Sequence, residues 1–230
     1  MLPDRFRGLP KIDHGLCQSD CRVCETVCPV KAIRKKEKVE MDLGRCLFCL
    51  DCLEACPKKA ISFTTDHQLA ANSRAALVYT EGEYQRAEAA GKEIRRLFGR
   101  SLKLRQVSAG GCNACEADIN VLTTVVFDLG RFGIQIVAAP RHADGLLITG
   151  PVSRNMEVAL RKTYDAIPSP KIVIAVGACA ISGGPFIGHP EVLGGSESVV
   201  PVDLYIPGCP PHPLTILDGL LRFLGKRVPV

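Results

Sequence analysis

The sequence predicts an α/β protein: a parallel sheet with helices on both faces, preceded by a small α+β unit. Three observations carry this. Short apolar runs alternate with helical stretches through the second half of the chain. A segment of the first half repeats itself 28 positions later. The twelve cysteines fall into the same two parts: eight between Cys17 and Cys56, none over 57–111, and four from Cys112 to Cys209.

The repeat comes first along the chain. Cys21, Cys24 and Cys28 recur as Cys49, Cys52 and Cys56, and the CPVKAI of 28–33 returns as CPKKAI at 56–61. Short strands are expected at 39–42 and 60–65, within a unit spanning 1–65. A connecting segment follows over 66–100. Its stretch 84–98 has a helical pattern, with Arg95 and Arg96 ahead of Gly99 as at a helix C-terminus, and is expected to be a solvated linker helix. The third unit, 101–230, shows apolar runs at 102–107, 134–138, 146–149, 171–176 and 202–206. Helical stretches at 116–129, 154–167 and 214–224 separate them. Buried strands alternating with helices argue for a parallel sheet. The loop 189–199 is Gly-rich and carries no clear pattern.

Hydrophobic residues make up 47% of the chain, ample for a packed core. Aromatic residues are only 5%, with no Trp, which leaves little for a base-stacking surface. The opening residues 1–15 show no apolar core of a signal peptide and no twin-arginine pair. No apolar run approaches the roughly 18 residues of a membrane span. The expected setting is therefore reducing cytoplasm, where disulfides are rare and clustered thiols bind metal.

Spacing narrows the metal. Cys46, Cys49, Cys52 and Cys56-Pro57 form C-x2-C-x2-C-x3-C-P. Three close thiolates wrap one 4Fe-4S cluster and the fourth reaches to a second cluster. A zinc ion would be satisfied by two C-x2-C pairs. The first run, Cys17, Cys21, Cys24 and Cys28-Pro29, has three residues between its first two cysteines. With the exchange of fourth ligands, Cys17, Cys21, Cys24 and Cys56 hold one cluster, and Cys46, Cys49, Cys52 and Cys28 hold the other. The longer first gap leaves open a three-iron cluster with Cys17 a bystander. Cys112 and Cys115, Cys179 and Cys209 each follow a predicted strand, and such turns gather at the carboxyl edge of an open parallel sheet. Gly110, Gly111, Gly177, Gly183, Gly184 and Gly208 in those turns let backbone approach a cofactor. On geometry alone, zinc remains possible for these four. The formal charge of +5 looks like an invitation to nucleic acid. Three clusters contribute roughly −6 and bring the total near −1, so no nucleic-acid partner is expected.

Four stretches, SAGGCNACEADIN (108–120), PRHADGLLITGPVSRNME (140–157), VGACAISGGPF (176–186) and VDLYIPGCPPHPLTILDGL (202–220), resemble the small subunit of group 4, energy-converting NiFe hydrogenases. The same superfamily includes the cluster-bearing complex I subunit that faces quinone. The match covers roughly 97–230. It implies a flavodoxin-like fold and a proximal 4Fe-4S cluster on Cys112, Cys115, Cys179 and Cys209. The N-terminal third resembles a bacterial two-cluster ferredoxin. Cys112-Asn-Ala-Cys115 is the hydrogenase form of the first motif, where complex I subunits carry adjacent cysteines. The fused ferredoxin part departs from many members, in which a separate subunit supplies it. GGCNAC stands where a flavin phosphate loop would, and GGPFIGH is no dinucleotide fingerprint, so neither flavin nor nicotinamide is expected.

The resemblance implies an electron-relay subunit of a membrane-associated group 4 NiFe hydrogenase or formate hydrogenlyase-type complex, with three 4Fe-4S clusters and no catalytic residue of its own. Its implied partners are a hydrogenase-type large subunit, a ferredoxin or electron-donating subunit, and membrane subunits reached through other chains. Its implied place is peripheral, on the cytoplasmic face. Two alternatives stay open, a complex I-like subunit serving a quinone-type site and a free-standing carrier. Glu116 suggests a proton path in this superfamily, or simply a carboxylate near a helix start. His142 is expected to be structural, and His14, His189 and His212 have no partner motif.

Overall fold

The structure, a computed structural model, describes residues 2–80 and 84–226, so the outermost ends of the expected first and third units lie outside it. The repeat is visible as geometry. β1 (Pro10–Ile12), α1 (Val23–Val27) and β2 (Ile33–Lys35) are followed by β3 (Val39–Asp42), α2 (Asp51–Ala55) and β4 (Ile61–Phe63). Both helices end on a cysteine, Cys28 and Cys56, with φ −70° and ψ 113° in each. Three residues on, Lys31 and Lys59 both turn left-handed, at φ 52° and 51°. Ile12 and Ile61 pair across antiparallel β1 and β4, and Ile33 and Met41 across β2 and β3. β5 (Val78–Tyr79) extends the second sheet beyond β3. The expected strand at 60–65 is shorter than its sequence pattern, and β1, β2 and β5 were too short to show a period of two.

The expected linker helix at 84–98 is corrected. Only its last part, α3 (Lys92–Phe98), is helical. The preceding residues give their backbone donors to distant partners: Ala87 N–H to Ala70 O at 2.6 Å, Glu88 N–H to Asn72 Oδ1 at 2.6 Å, and Ala90 N–H to Phe223 O at 2.8 Å. Tertiary bonds outcompete a helical ladder there, and Gly91 begins the helix late. Nor is the stretch solvated as a whole. Tyr84 is buried and its hydroxyl donates to Leu69 O at 2.8 Å. Desolvation holds its phenol in the protonated form. Tyr84→Phe leaves that carbonyl without its donor, and a loss of about 1–2 kcal/mol is expected in denaturant unfolding of the cluster-loaded chain.

The remaining strands form one parallel sheet. In chain order come β6 (Leu102–Ser108), α4 (Ala114–Val121), β7 (Ile134–Ile136), β8 (Gly145–Thr149), α5 (Arg154–Ala166), β9 (Ile172–Val176), α6 (Gly177–Ser182), β10 (Leu204–Ile206) and α7 (Pro213–Phe223). Spatially they run β7-β6-β8-β9-β10, every pair parallel. This is the flavodoxin-like order. Ile119 of α4 with Ile216 and Leu220 of α7 cover Leu104, Leu147, Ile174 and Ile206. On the opposite face Leu160 of α5 covers Val107, Leu146, Ile148 and Val173. Each fully buried aliphatic side chain contributes about 1.5–3 kcal/mol, so the two-sided coverage explains why these strands are apolar throughout. α4 ends well before the expected limit of 129. The hydroxyls of Thr123 and Thr124 donate back to Asn120 O and Val121 O, which favours a turn over another helical turn.

The N-terminal unit and the sheet share a core. Met41, Leu43 and Leu77 pack in one cluster with Ala175, Ala180, Ile181 and Tyr205. Ser182 Oγ donates to Gly44 O at 2.9 Å. Ala71 and Tyr205 exchange both backbone bonds, at 3.0 and 2.9 Å, adding a bridge to the β10 edge.

Candidate metal centres

All twelve cysteines are free thiols, and the fold sorts them into three groups. In the first, burial pushes the Cys24 thiol up against a backbone donor at Glu25, and the thiols of Cys17, Cys21 and Cys56 add to the rise. In the second, burial pushes Cys46 up to about 12, opposed by the Phe48 N–H and reinforced by Cys52, Cys28 and Cys49. Cys52 is likewise pushed up by burial to about 12, with Cys49 and then Cys28 adding to the rise. Cys56 therefore stands with the first run and Cys28 with the second, crosswise to sequence order. The cause is local: after each helix, Pro and a left-handed Lys swing the chain so that Ala32 N–H meets Cys28 Sγ at 3.2 Å and Ala60 N–H meets Cys56 Sγ at 3.3 Å. Phe48, itself left-handed at φ 54°, gives its N–H to Cys46 Sγ at 3.3 Å. Cys17 receives the Lys35 ammonium at 3.3 Å.

The third group collects at the carboxyl ends of β6, β9 and β10. Burial pushes the Cys115 thiol far up, reinforced by Glu116, Cys179, Cys209 and Cys112. Cys179, in α6, is pushed up by burial to about 11, with Cys209 and Cys112 next. Cys209 is exposed as a residue, yet desolvation of its sulfur, followed by Cys112 and Cys49, raises it too. Two glycines clear the sulfurs. At Gly177, φ +89°, an added Cβ would stand 2.6 Å from Cys115 Sγ, and at Gly184, φ +56°, one would stand 2.6 Å from Cys179 Sγ. Glu116 is buried, and its Oε1 accepts the Thr149 hydroxyl at 2.5 Å. The carboxylate thus sits beside the sulfurs on a fixed partner at the end of β8.

Cys24 also reinforces Cys52, and Cys49 reinforces Cys209. The three groups consequently stand in a row, with the second in the middle. The far end of the row is open: Cys112 and Cys209 are exposed, as are Phe186 and Ile187 after α6. Val125 and Val126, just beyond α4, are 96% and 79% exposed.

Each group gathers four thiols and desolvates at least one of them: Cys24 in the first, Cys46, Cys49 and Cys52 in the second, and Cys115, Cys179 and Cys209 in the third. This suits a multi-iron cluster, whose irons take thiolates and return the charge that burial otherwise forbids. Amides aimed at sulfur are the usual surroundings of such ligands. Among the described residues no group of His, Cys, Asp or Glu is arranged to hold a single metal ion, so the fit rests on the thiol groups and their desolvation.

The histidines have local duties. His14 Nε2 contacts Thr80 O at 2.9 Å, His189 Nδ1 accepts from Glu191 N–H, and His212 Nδ1 caps α7 by accepting from Leu214 N–H. His142 lies in an exposed turn over Pro140–His142. Sequence reasoning missed Lys35 and Thr149. The repeat held a signal for the first, since Lys35 stands where the second copy has Phe63. Nothing local marks Thr149, which meets Glu116 only through the sheet.

A ferredoxin-type repeat welded to a flavodoxin-like sheet, with thiols at its carboxyl edge, defines an iron–sulfur protein of the oxidoreductase subunit class. Residues 16–60 match the 4Fe-4S dicluster domain. Residues 112–223 match the NADH ubiquinone oxidoreductase, 20 kDa subunit family, and the chain belongs to that family. It is 48% identical over 126 residues to formate hydrogenlyase subunit 7 of Escherichia coli, covering 55% of this chain and only 49% of that protein. Identity to the probable membrane-bound hydrogenase subunit mbhJ of Pyrococcus furiosus is 40% over 144 residues, 63% of this chain and 86% of the relative. With a subunit of the NADH-quinone oxidoreductase of Bacteroides thetaiotaomicron it is 40% over 131 residues, 56% and 66% of the two chains. Among solved structures, a chain of the membrane-bound sulfane sulfur reductase, an archaeal respiratory membrane complex, superposes with a TM-score of 0.51 at 32% identity. That match covers 58% of this chain and 73% of the other. Among the described residues no helix is long and apolar enough to cross a membrane.

Proposed function

We propose that this chain is the electron-relay small subunit of a membrane-associated group 4 NiFe hydrogenase or formate hydrogenlyase-type complex. It would hold three 4Fe-4S clusters: one on Cys17, Cys21, Cys24 and Cys56, one on Cys28, Cys46, Cys49 and Cys52, and one on Cys112, Cys115, Cys179 and Cys209. The observation that carries this reading is the row of three four-thiol groups ending at an open edge. Such clusters supply one-electron uptake and release. The chain's own residues hold the thiolates, exclude water from the buried sulfurs, and keep neighbouring groups close. Three proposed units support the arrangement: residues 1–65 for the first two groups, 66–100 as the joint, and 101–230 for the third.

At the open edge, the exposed Phe186 and Ile187 suit the apolar face of a large subunit, which would cover Cys112 and Cys209 and take electrons to its NiFe site. The opposite end would serve a ferredoxin or electron-donating subunit. Other chains would tie the assembly to the cytoplasmic face of the membrane. The hydrogenase-form spacing Cys112-x2-Cys115 favours this assignment over a quinone-serving subunit.

Anaerobic purification of the native complex, with metal and sulfide analysis, tests the reading. About twelve irons and twelve sulfides per copy of this chain, with nickel in a co-purifying large subunit, are expected. Zinc on the last four cysteines, or roughly four irons in all, would overturn the three-cluster assignment. A nickel-free large subunit would transfer the chain to the complex I-like alternative, and a stable cluster-loaded monomer without partners to the free carrier.

A further inference from the structure

We propose that Lys35 sets the reduction potential of the first cysteine group, lifting it above that of the second; the inference rests on the three-cluster reading. Lys35 ends β2 and is only 7% exposed. Its Nζ donates to Cys17 Sγ at 3.3 Å. Among the described residues no Asp or Glu forms an ion pair with it. A buried ammonium needs a compensating anion, and the sulfur of Cys17 is the one within reach.

The internal repeat supplies the comparison. Twenty-eight positions after Lys35 stands Phe63, at the end of β4. Phe63 packs with Cys28, Cys46 and Phe48 of the second group, its ring 6.1 Å from that of Phe48. Several local features are matched between the copies, namely the helix-end cysteines, the left-handed lysines and the Ala32 and Ala60 N–H bonds to sulfur. The copies differ in the longer Cys17–Cys21 gap and in the Phe48 N–H bond to Cys46 Sγ. One fold position thus presents a cation to the first site and a phenyl ring to the second.

Reduction brings one electron from a one-electron carrier protein to the site, and no bond forms or breaks. The added negative charge is offset by a nearby ammonium and by a hydrogen bond to sulfur, both strengthened by low polarity. A phenyl ring offers neither. Lys35 thereby makes the first site the easier of the two to reduce, its buried ammonium outweighing the single Phe48 N–H that the second site gives Cys46 Sγ.

The test is an EPR-monitored redox titration of the purified complex with dithionite as reductant. The first-site signal is assigned as the one missing from Cys56→Ser. In Lys35→Met and Lys35→Gln the potential of that signal falls while the other two hold, and in Lys35→Arg it stays near wild type. An unchanged first-site potential, equal movement of all three signals, or loss of about four irons from both neutral variants overturns the proposal, the last by making Lys35 a structural residue. A wild-type complex with only about eight irons and no first-site signal would overturn the three-cluster reading itself, before any variant is compared.

Discussion

Cys56→Ser is expected to empty the site built on the first cysteine run, and Cys28→Ser the site built on the second. In sequence Cys56 closes the run begun at Cys46, so a reading by proximity along the chain expects the reverse. In space its sulfur neighbours Cys24, while Cys28 neighbours Cys46 and Cys52. The exchange follows from the chain's turn after each helix, where Pro29 and Pro57 precede left-handed Lys31 and Lys59. A serine hydroxyl is a poor substitute for a thiolate, so each variant should lose roughly four irons of about twelve. The Cys→Ser pair is distinguished by double variants. Cys56→Ser combined with Cys21→Ser loses no more iron than Cys56→Ser alone, whereas Cys56→Ser with Cys49→Ser loses about eight. The opposite pattern in iron analysis would sink the crosswise assignment.

Gly177→Ala should abolish the third site while leaving the first two intact. Its φ of +89° already disfavours a side chain, at a cost of about 1–2 kcal/mol. That strain alone is tolerable for a sheet buried on both faces. The decisive contact is the 2.6 Å between the new Cβ and Cys115 Sγ, too close for the sulfur to stay where a metal would need it. About four irons should be lost, together with electron delivery from the first two sites to the proposed large subunit, while the cooperative unfolding transition persists. Retention of the full iron content with normal turnover would show that Cys115 can move away and still bind, removing the glycine from the site. Gly184→Ala tests the same argument from Cys179 Sγ.

Much of this was legible before any coordinates. Cysteine spacing and the 28-residue repeat pointed to the first two groups, because close ligand spacing and the turn chemistry of Cys-Pro are local properties. The parallel sheet was legible because strands buried on both faces read as apolar runs. Helix limits were less so. Residues 84–91 carry helical pattern, yet Ala70, Asn72 and Phe223 claim their N–H groups, and those partners are remote in sequence. The third group was visible as four scattered cysteines after strands, but its open edge was not, since the exposure of Cys112 and Cys209 depends on how turns remote in sequence fold together. Lys35 looked like one more surface lysine in a basic stretch, and only tertiary placement puts it under Cys17.

The common core between the ferredoxin-type unit and the sheet bears on kinetics. Were the unit a module on a flexible tether, each electron would wait for a diffusive search and a productive docking, and turnover would slow in viscous solvent. Here Met41, Leu43 and Leu77 are interdigitated with Ala175, Ile181 and Tyr205, and the β10 edge is stitched to Ala71. The spacing between Cys49 and Cys209 is therefore a constant of the fold. On the proposed relay reading, hopping between clusters at those centres would proceed at a rate independent of viscosity, and the motion-dependent step would be the encounter with the electron donor at the opposite end.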